Sequence, residues 1–166
     1  MGTAYEVALV CNLKPTLSPQ IMETLNYLTR SQDYDFPKAI SHLFFDVDFG
    51  DEWRIIIANN YPRGGEDFSP QACRSVLSNN QLCFRVLLDD DTFYNVGWFL
   101  LDWLATISNT QGLVGYRIDI VRSECTLIFF KNEQVIEHQS LPSEIPEPLK
   151  ETFNRVLGGT GFFPYE

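Results

Sequence analysis

Basic side chains are the scarcest class in this sequence. Its 166 residues include 12 Lys and Arg, only four of them Lys, against 22 Asp and Glu, so the formal net charge is −10. Nucleic acid phosphates and anionic lipid headgroups both attract proteins through clustered Lys and Arg. The composition therefore predicts that neither nucleic acid nor a membrane is a partner.

Long hydrophobic runs and targeting signals are also lacking. The longest apolar run extends from Val96 to Ile107 and is interrupted by Asp102, which makes it shorter than the roughly 20 residues that span a bilayer. The first residues show neither the basic start of an export signal nor a myristoylation pattern. We therefore expect a cytoplasmic protein without a membrane anchor.

Cysteine is sparse and shows no Cys-x-x-Cys pair, which argues against a zinc knuckle or a dithiol redox motif. The four cysteines lie far apart in the chain: Cys11, Cys73, Cys83 and Cys125. We expect structural, unpaired thiols in a reducing compartment. The two histidines, His42 and His138, belong to no metal-binding or nucleophile motif.

Hydrophobic residues, in contrast, are plentiful. They make up 45% of the chain and include 13 Phe, 7 Tyr and 3 Trp, enough to form a core without disulfides. The length matches one domain of about 100 to 200 residues. We expect residues 1–166 to form a single domain, with 158–166 as an aromatic tail after a glycine hinge.

Hydrophobic periodicity predicts the element order βαββ(α)βαβββα. Strands are expected at 5–13, 41–47, 53–58, 81–88, 116–121, 126–131 and 135–139. Helices are expected after Ser18, at 69–77, at 95–108 and at 148–157. Because the connections between strands are short, the fold class is α+β: a mainly antiparallel sheet of about six or seven strands with helices packed on one face.

Two acidic clusters are candidate cation sites. Asp46–Glu52 lacks the glycine and glutamate positions of an EF-hand loop, and we interpret it as a solvated hairpin connection. Asp89, Asp90 and Asp91 cannot all reach one ion from a strand, because successive side chains alternate between faces. No glycine-rich segment has the lysine and helix of a phosphate loop. We therefore expect no metal and no cofactor.

Three arginines form the best candidate binding site. Arg54, Arg85 and Arg117 each occupy the strand position opposite to their apolar neighbours, which predicts one shared sheet face without helices. Asp119 falls on the face of Arg117. Clustered guanidinium groups bind carboxylates and phosphates through paired hydrogen bonds. The alternative is ordinary cross-strand ion pairing on a solvated face.

A second candidate contact is the aromatic end of the chain, with Phe162, Phe163 and Tyr165 after a glycine-rich stretch. Leaving these rings in water is costly, so they are expected to pack on their own domain or on a partner.

No catalytic motif is present, and the sequence favours a protein that is not an enzyme. Its leading interpretation is a non-catalytic cytoplasmic interaction module, an acidic adaptor or inhibitor that binds an unidentified protein as a monomer or homodimer. The alternative is a small-molecule binding protein or enzyme with an arginine-lined pocket on the sheet. That pocket would use Arg85, Arg117 and Asp119, together with His42.

Overall fold

The computed structural model describes residues 3–29, 40–46, 53, 56–58 and 74–158. Its centre is a six-stranded sheet in the order β2-β3-β1-β4-β5-β6, with antiparallel pairing throughout. The strands are β1 (Ala4–Asn12), β2 (Arg74–Ser78), β3 (Gln81–Asp89), β4 (Gly112–Asp119), β5 (Cys125–Lys131) and β6 (Gln134–Ser140). The predicted α+β class is confirmed.

Helices and helical turns lie between the strands and after β6. They are α1 (Pro19–Thr29), α2 (Leu43–Asp46), α3 (Asp90–Thr92), a π-helical turn (Phe93–Gly97), α4 (Trp98–Ile107), a 3₁₀ turn (Pro142–Glu144) and α5 (Glu147–Leu157). Gly158 ends α5 in the left-handed conformation, with φ of 85°, as its position in the sequence predicts.

The acidic run at 89–91 has a structural role at a helix start. Asp89 is the N-cap of α3, where its Oδ1 accepts a hydrogen bond from the Thr92 amide at 2.7 Å. Asp90 and Asp91 lie in the first turn, where negative charge is favourable at the positive end of the helix dipole. This cap starts the helical segment five residues before the predicted position.

The sheet is covered on both faces, because β1 is apolar on both sides. The major face carries Tyr5, Val7, Leu9 and Cys11 and packs against α1, α2 and α4. The minor face carries Glu6, Ala8 and Tyr116 and packs against α5 through Leu149, Phe153 and Leu157. The expectation that all helices share one face therefore fails for α5.

Two local predictions are wrong. The segment expected as a strand at 41–47 contains α2, because Phe44 and Phe45 pack around Trp103, at ring-centroid distances of 5.8 and 5.0 Å. The segment expected as a helix at 69–77 contains strand β2 from Arg74 onward. Ser75 fixes that strand, since its buried hydroxyl donates a 2.6 Å hydrogen bond to the Ile57 carbonyl.

Other expected segments are described only in part. The strand predicted at 53–58 is not found at Ile56 and Ile57, which form a turn. Of the acidic segment at 46–52, only Asp46 belongs to the described residues, where it ends α2.

Candidate functional site

The structure places three of the seven predicted binding residues. These are Arg85 on β3 and Arg117 and Asp119 on β4. Arg54 and the three aromatic residues of the C-terminal segment, Phe162, Phe163 and Tyr165, lie outside the described residues.

Arg85 and Arg117 lie on opposite faces of the sheet, so the predicted shared face is wrong for this pair. Arg85 is directly opposite Ala8 on β1, whereas Arg117 is directly opposite Val7. Adjacent residues of a strand point to opposite faces. Because helices cover both faces, a position opposite the apolar neighbours does not identify one particular face.

Arg85 is buried on the minor face and has a structural environment. Its Nε lies 3.5 Å from Oε1 of Glu6, and the two side chains are 2% and 0% exposed. The Tyr116 hydroxyl donates a 2.7 Å hydrogen bond to the same carboxylate. Phe153 of α5 covers this group, with its ring centroid 5.5 Å from the Arg85 guanidinium carbon. Arg85 is therefore enclosed beneath Phe153 of α5.

Arg117 lies on the major face, beside aromatic rings. Its guanidinium carbon is 4.6 Å from the ring centroid of Phe93, 4.8 Å from that of Tyr5 and 5.9 Å from that of Tyr94. These distances are typical of cation–π contacts. The side chain also approaches Glu137 of β6, at 3.2 Å from Nη2 to Oε1. This ion pair is the cross-strand contact that the sequence offered as the alternative to a ligand site.

Two tyrosines that the sequence analysis missed complete this region. Arg117 Nη1 donates a hydrogen bond to the Tyr94 hydroxyl at 3.3 Å. The Tyr5 hydroxyl lies 3.4 Å from the Tyr94 hydroxyl. Tyr94 belongs to the π-helical turn, a geometry that is frequent at functional sites. No short sequence motif links residues 5 and 94, because only the fold brings them together.

The hydroxyl cluster gives its tyrosines different acidities. The hydrogen bond with Tyr5, and after it the one from Arg117, lowers the pKa of Tyr94. Burial, followed by the hydrogen bond with Tyr94, raises the pKa of Tyr5 to about 12. Either hydroxyl can donate the hydrogen bond between them.

Asp119 organises the turn between β4 and β5. Its Oδ1 accepts hydrogen bonds from the amides of Val121 and Arg122, both at 2.9 Å. This side-chain turn uses one carboxylate oxygen, while Oδ2 lies 3.9 Å from Nε of Arg122. Asp119 therefore has a structural role as well as a position beside Arg117.

Together these residues line a small polar cleft of about 180 Å³, which we call the sheet-end cleft. Arg117, Asp119 and the two tyrosines are completed by Arg122, Glu124, Thr126 and Gln139. The cleft thus presents charges of both signs and three hydroxyl-bearing side chains, a set suited to hydrogen bonding and ion pairing. Neither histidine nor cysteine is among the described residues that line it.

His42, which the sequence analysis placed with the arginine-lined pocket, lies elsewhere. His42 precedes α2, where its Nδ1 accepts a 3.1 Å hydrogen bond from the Phe44 amide and its Nε2 lies 3.3 Å from Asp102. With both ring nitrogens engaged, His42 has no free nitrogen to take a proton from a substrate.

The described cysteines are not activated nucleophiles. Cys11, Cys83 and Cys125 are buried and unpaired. Burial raises the pKa of Cys11 and Cys83 to about 12 and that of Cys125 to about 11, so the reactive thiolate is disfavoured at neutral pH.

No family model, curated protein or solved structure matches this chain. Within the residues that the structure describes, no group of three or more His, Cys, Asp or Glu side chains could hold a metal ion. None of the described helices is long and apolar enough to cross a membrane. Function must therefore be argued from the sheet-end cleft itself.

Proposed function

We propose that this chain is a non-catalytic interaction module that binds another protein through the sheet-end cleft and its rim. The observation that carries the proposal is the exposure of large apolar side chains around a polar cleft. Tyr94 is 56% exposed, Val121 68% and Leu141 60%. The pairing of Cys125 with Ser140 places Leu141 beside Glu124. The three exposed side chains, Tyr94, Val121 and Leu141, therefore belong to the same end of the sheet.

The composition of this surface resembles the energetically important part of protein interfaces. Tyr and Arg are the residue types most enriched where a few side chains dominate binding, and a polar surround excludes water from them. Arg117 is held in place by its aromatic neighbours and by Glu137, which reduces the conformational entropy lost on binding. Tyr94 projects beside it.

Charge supports a basic partner. The net charge of −10 attracts a positively charged protein over long range and raises the rate of association. Within the cleft, Asp119 and Glu124 offer carboxylates to a Lys or Arg side chain of that partner. We place this interaction in the cytoplasm, because a reducing compartment suits the buried, unpaired thiols of Cys11, Cys83 and Cys125.

A second candidate function is binding of a small molecule in the same cleft. It is favoured by one observation: Arg117 and Asp119, predicted as ligand-binding residues, line one cavity. Charges of opposite sign that line one cavity would suit a small zwitterion, whose carboxylate would contact Arg117 while its ammonium group contacts Asp119 or Glu124.

Comparative capture tests the leading proposal. The immobilised chain, its Tyr94→Ala/Val121→Ser variant and a matched Leu43→Ser control would be exposed to native cell lysate, with bound proteins quantified by mass spectrometry. Leu43 is 61% exposed but lies on α2, away from the cleft. We expect one basic protein to bind the native chain and the control but not the double variant, and to bind the native chain again when purified.

The result that overturns the proposal is identical capture by all three chains. A thermal-shift panel of amino acids, polyamines, dicarboxylates and phosphate esters separates the second candidate. A shift produced by one of these compounds and lost in Arg117→Met would favour small-molecule binding.

A further inference from the structure

The two edges of the sheet differ in how they are protected. At one edge, β2 has five residues and lies beside α1 and α5, with Ser75 buried. At the other edge, β6 has seven residues and pairs with β5 along its whole length without a register shift. Every residue of β6 is exposed or half-buried. Within the described part of the chain, no strand pairs with the outer side of β6.

Proteins usually protect such an edge with proline, lysine, a bulge or a covering element. Strand β6, with the sequence Gln-Val-Ile-Glu-His-Gln-Ser, contains neither proline nor lysine and has no bulge. Helix α4 packs near β6. Within the described residues no strand pairs with the outer side of β6, which leaves that side as the place where another extended chain could pair.

An apolar groove lies beside this edge. It has a volume of about 630 Å³ and is lined by Phe129 and Phe130 of β5, by Ile136 and His138 of β6 and by the turn that joins the two strands. Phe129 and Ile136 are directly opposite each other on the minor face, and Ile136 is 43% exposed. Among the described residues, α5 makes its main strand contacts with β2 and β3, at the side of the sheet away from β6.

We infer that β6 is a strand-addition site for an extended partner segment in which apolar residues alternate with Lys or Arg. Side chains of an added strand alternate between the two faces. Apolar residues on the minor face would extend the Phe129 and Ile136 surface into the groove, while the residues between them would lie on the major face beside Glu137. The inference rests on the proposed protein-binding function and adds a surface outside the sheet-end cleft.

Charge favours this partner over a second copy of the chain. Glu137 is the central residue of β6, so full antiparallel pairing of two copies would place Glu137 opposite its own equivalent. Like charges directly opposite each other destabilise a strand pair. Each copy also carries a net charge of −10, which opposes association of two copies and attracts a basic segment.

A peptide-binding experiment tests the inference. The probe is a labelled peptide of alternating Val and Lys that matches the seven residues of β6, and fluorescence anisotropy measures its affinity for the full chain. A second peptide has proline at its centre, which removes a backbone donor and prevents regular pairing. A third has Glu in place of Lys. We expect only the first peptide to bind well, with the other two weaker by about tenfold or more, or 1.4 kcal/mol.

Two charge-matched variants locate the binding surface. Ile136→Lys places a cation on the edge strand and should weaken binding by about tenfold. Leu43→Lys adds the same charge at an exposed aliphatic position on α2, outside both surfaces, and should bind as the native chain does. Amide hydrogen exchange should slow at alternate residues of β6 when the first peptide binds. Thermal melts verify that both variants fold.

Three outcomes overturn the inference. Equal affinity for the proline peptide would exclude strand addition. A loss confined to Leu43→Lys would place the peptide away from β6, and equal losses in both variants would assign the weakening to charge alone; in both cases the proposed function would survive. A dimer in sedimentation that Ile136→Lys dissociates would make a second copy the occupant of β6.

Discussion

Arg85 and Arg117 occupy the two strands that flank β1, yet their surroundings are opposite. Arg85 is 2% exposed and shares a closed space with Glu6, Tyr116 and Phe153. The Arg117 side chain is 13% exposed and lies in an open cleft with Tyr94. This comparison shows that the element covering its face of the sheet decides whether an arginine within a strand is buried in an ion pair or accessible to a ligand.

The same contrast extends to the two faces. The major face joins β1 to three helices in one large apolar core, whereas the minor face combines a smaller apolar cluster with a buried ion pair. Stability should therefore depend on apolar packing on the major face and on charge compensation on the minor face. The following predictions test this division.

The largest effect is expected from Trp103→Ala. Trp103 is buried on the major face, where its ring stacks on Phe44 at 5.8 Å and 18°. Removing it should cost about 3 to 5 kcal/mol of unfolding free energy, as for other large-to-small core substitutions. Urea denaturation measures the change, with half-buried Trp98→Ala as the milder control. An unchanged urea denaturation midpoint would show that Trp103 does not contribute to the core.

A comparable loss is expected from Arg85→Met. Without the guanidinium group, the fully buried Glu6 carboxylate loses its opposite charge, which should cost about 3 to 5 kcal/mol. The double variant Glu6→Gln/Arg85→Met removes both charges and keeps an acceptor for Tyr116, so it should recover part of the stability. A double variant that is no more stable than Arg85→Met would contradict a charge-compensation role.

Arg117→Met is the matched substitution on the other face. It should lower the free energy of unfolding by only about 1 kcal/mol or less, because the ion pair of Arg117 with Glu137 is partly exposed to solvent. The same denaturation assay applies. Equal losses for Arg85→Met and Arg117→Met would abolish the distinction between the two arginines.

The smallest effect concerns tyrosine ionisation. Arg117→Met should raise the pKa of Tyr94, because the hydrogen bond and positive charge of the guanidinium group favour its phenolate. Ultraviolet titration of the phenolate band measures this pKa, and the Tyr94→Phe variant identifies which titration step belongs to Tyr94. An unchanged Tyr94 transition in Arg117→Met would show that the guanidinium group does not act on this hydroxyl.

The two hydroxyls also affect stability with opposite signs. The folded chain releases the Tyr94 proton at lower pH than the unfolded chain, so Tyr94 adds stability as the pH approaches about 10. Tyr5 retains its proton up to about 12, so its contribution is lost as the pH rises from about 10 to that value.

The sequence was most informative where structure is local. The meander of β4, β5 and β6 follows from alternating residues and short connections, and the end of α5 follows from Gly158. Prediction failed where distant contacts decide the structure. Phe44 and Phe45 belong to a run rich in strand-forming residues, but contacts with Trp103 stabilise a single helical turn.

The same division holds for the candidate site. Arg117 and Asp119 could be placed together, because residues two apart in a strand share a face. Arg85 could not be assigned to the correct face, since that requires the register of β3 against β1. Tyr5 and Tyr94 were missed because they are 89 residues apart and neither belongs to a motif.

The π-helical turn at Phe93–Gly97 gives the cleft an evolutionary marker. Such a turn corresponds to one extra residue within an α-helix, and each residue rotates a helix by about 100°. A homologue lacking that residue could keep the sheet and α4 while turning the equivalent of Tyr94 away from the equivalent of Arg117. A single insertion would thus separate descendants that share only the architecture from those that also share its binding surface.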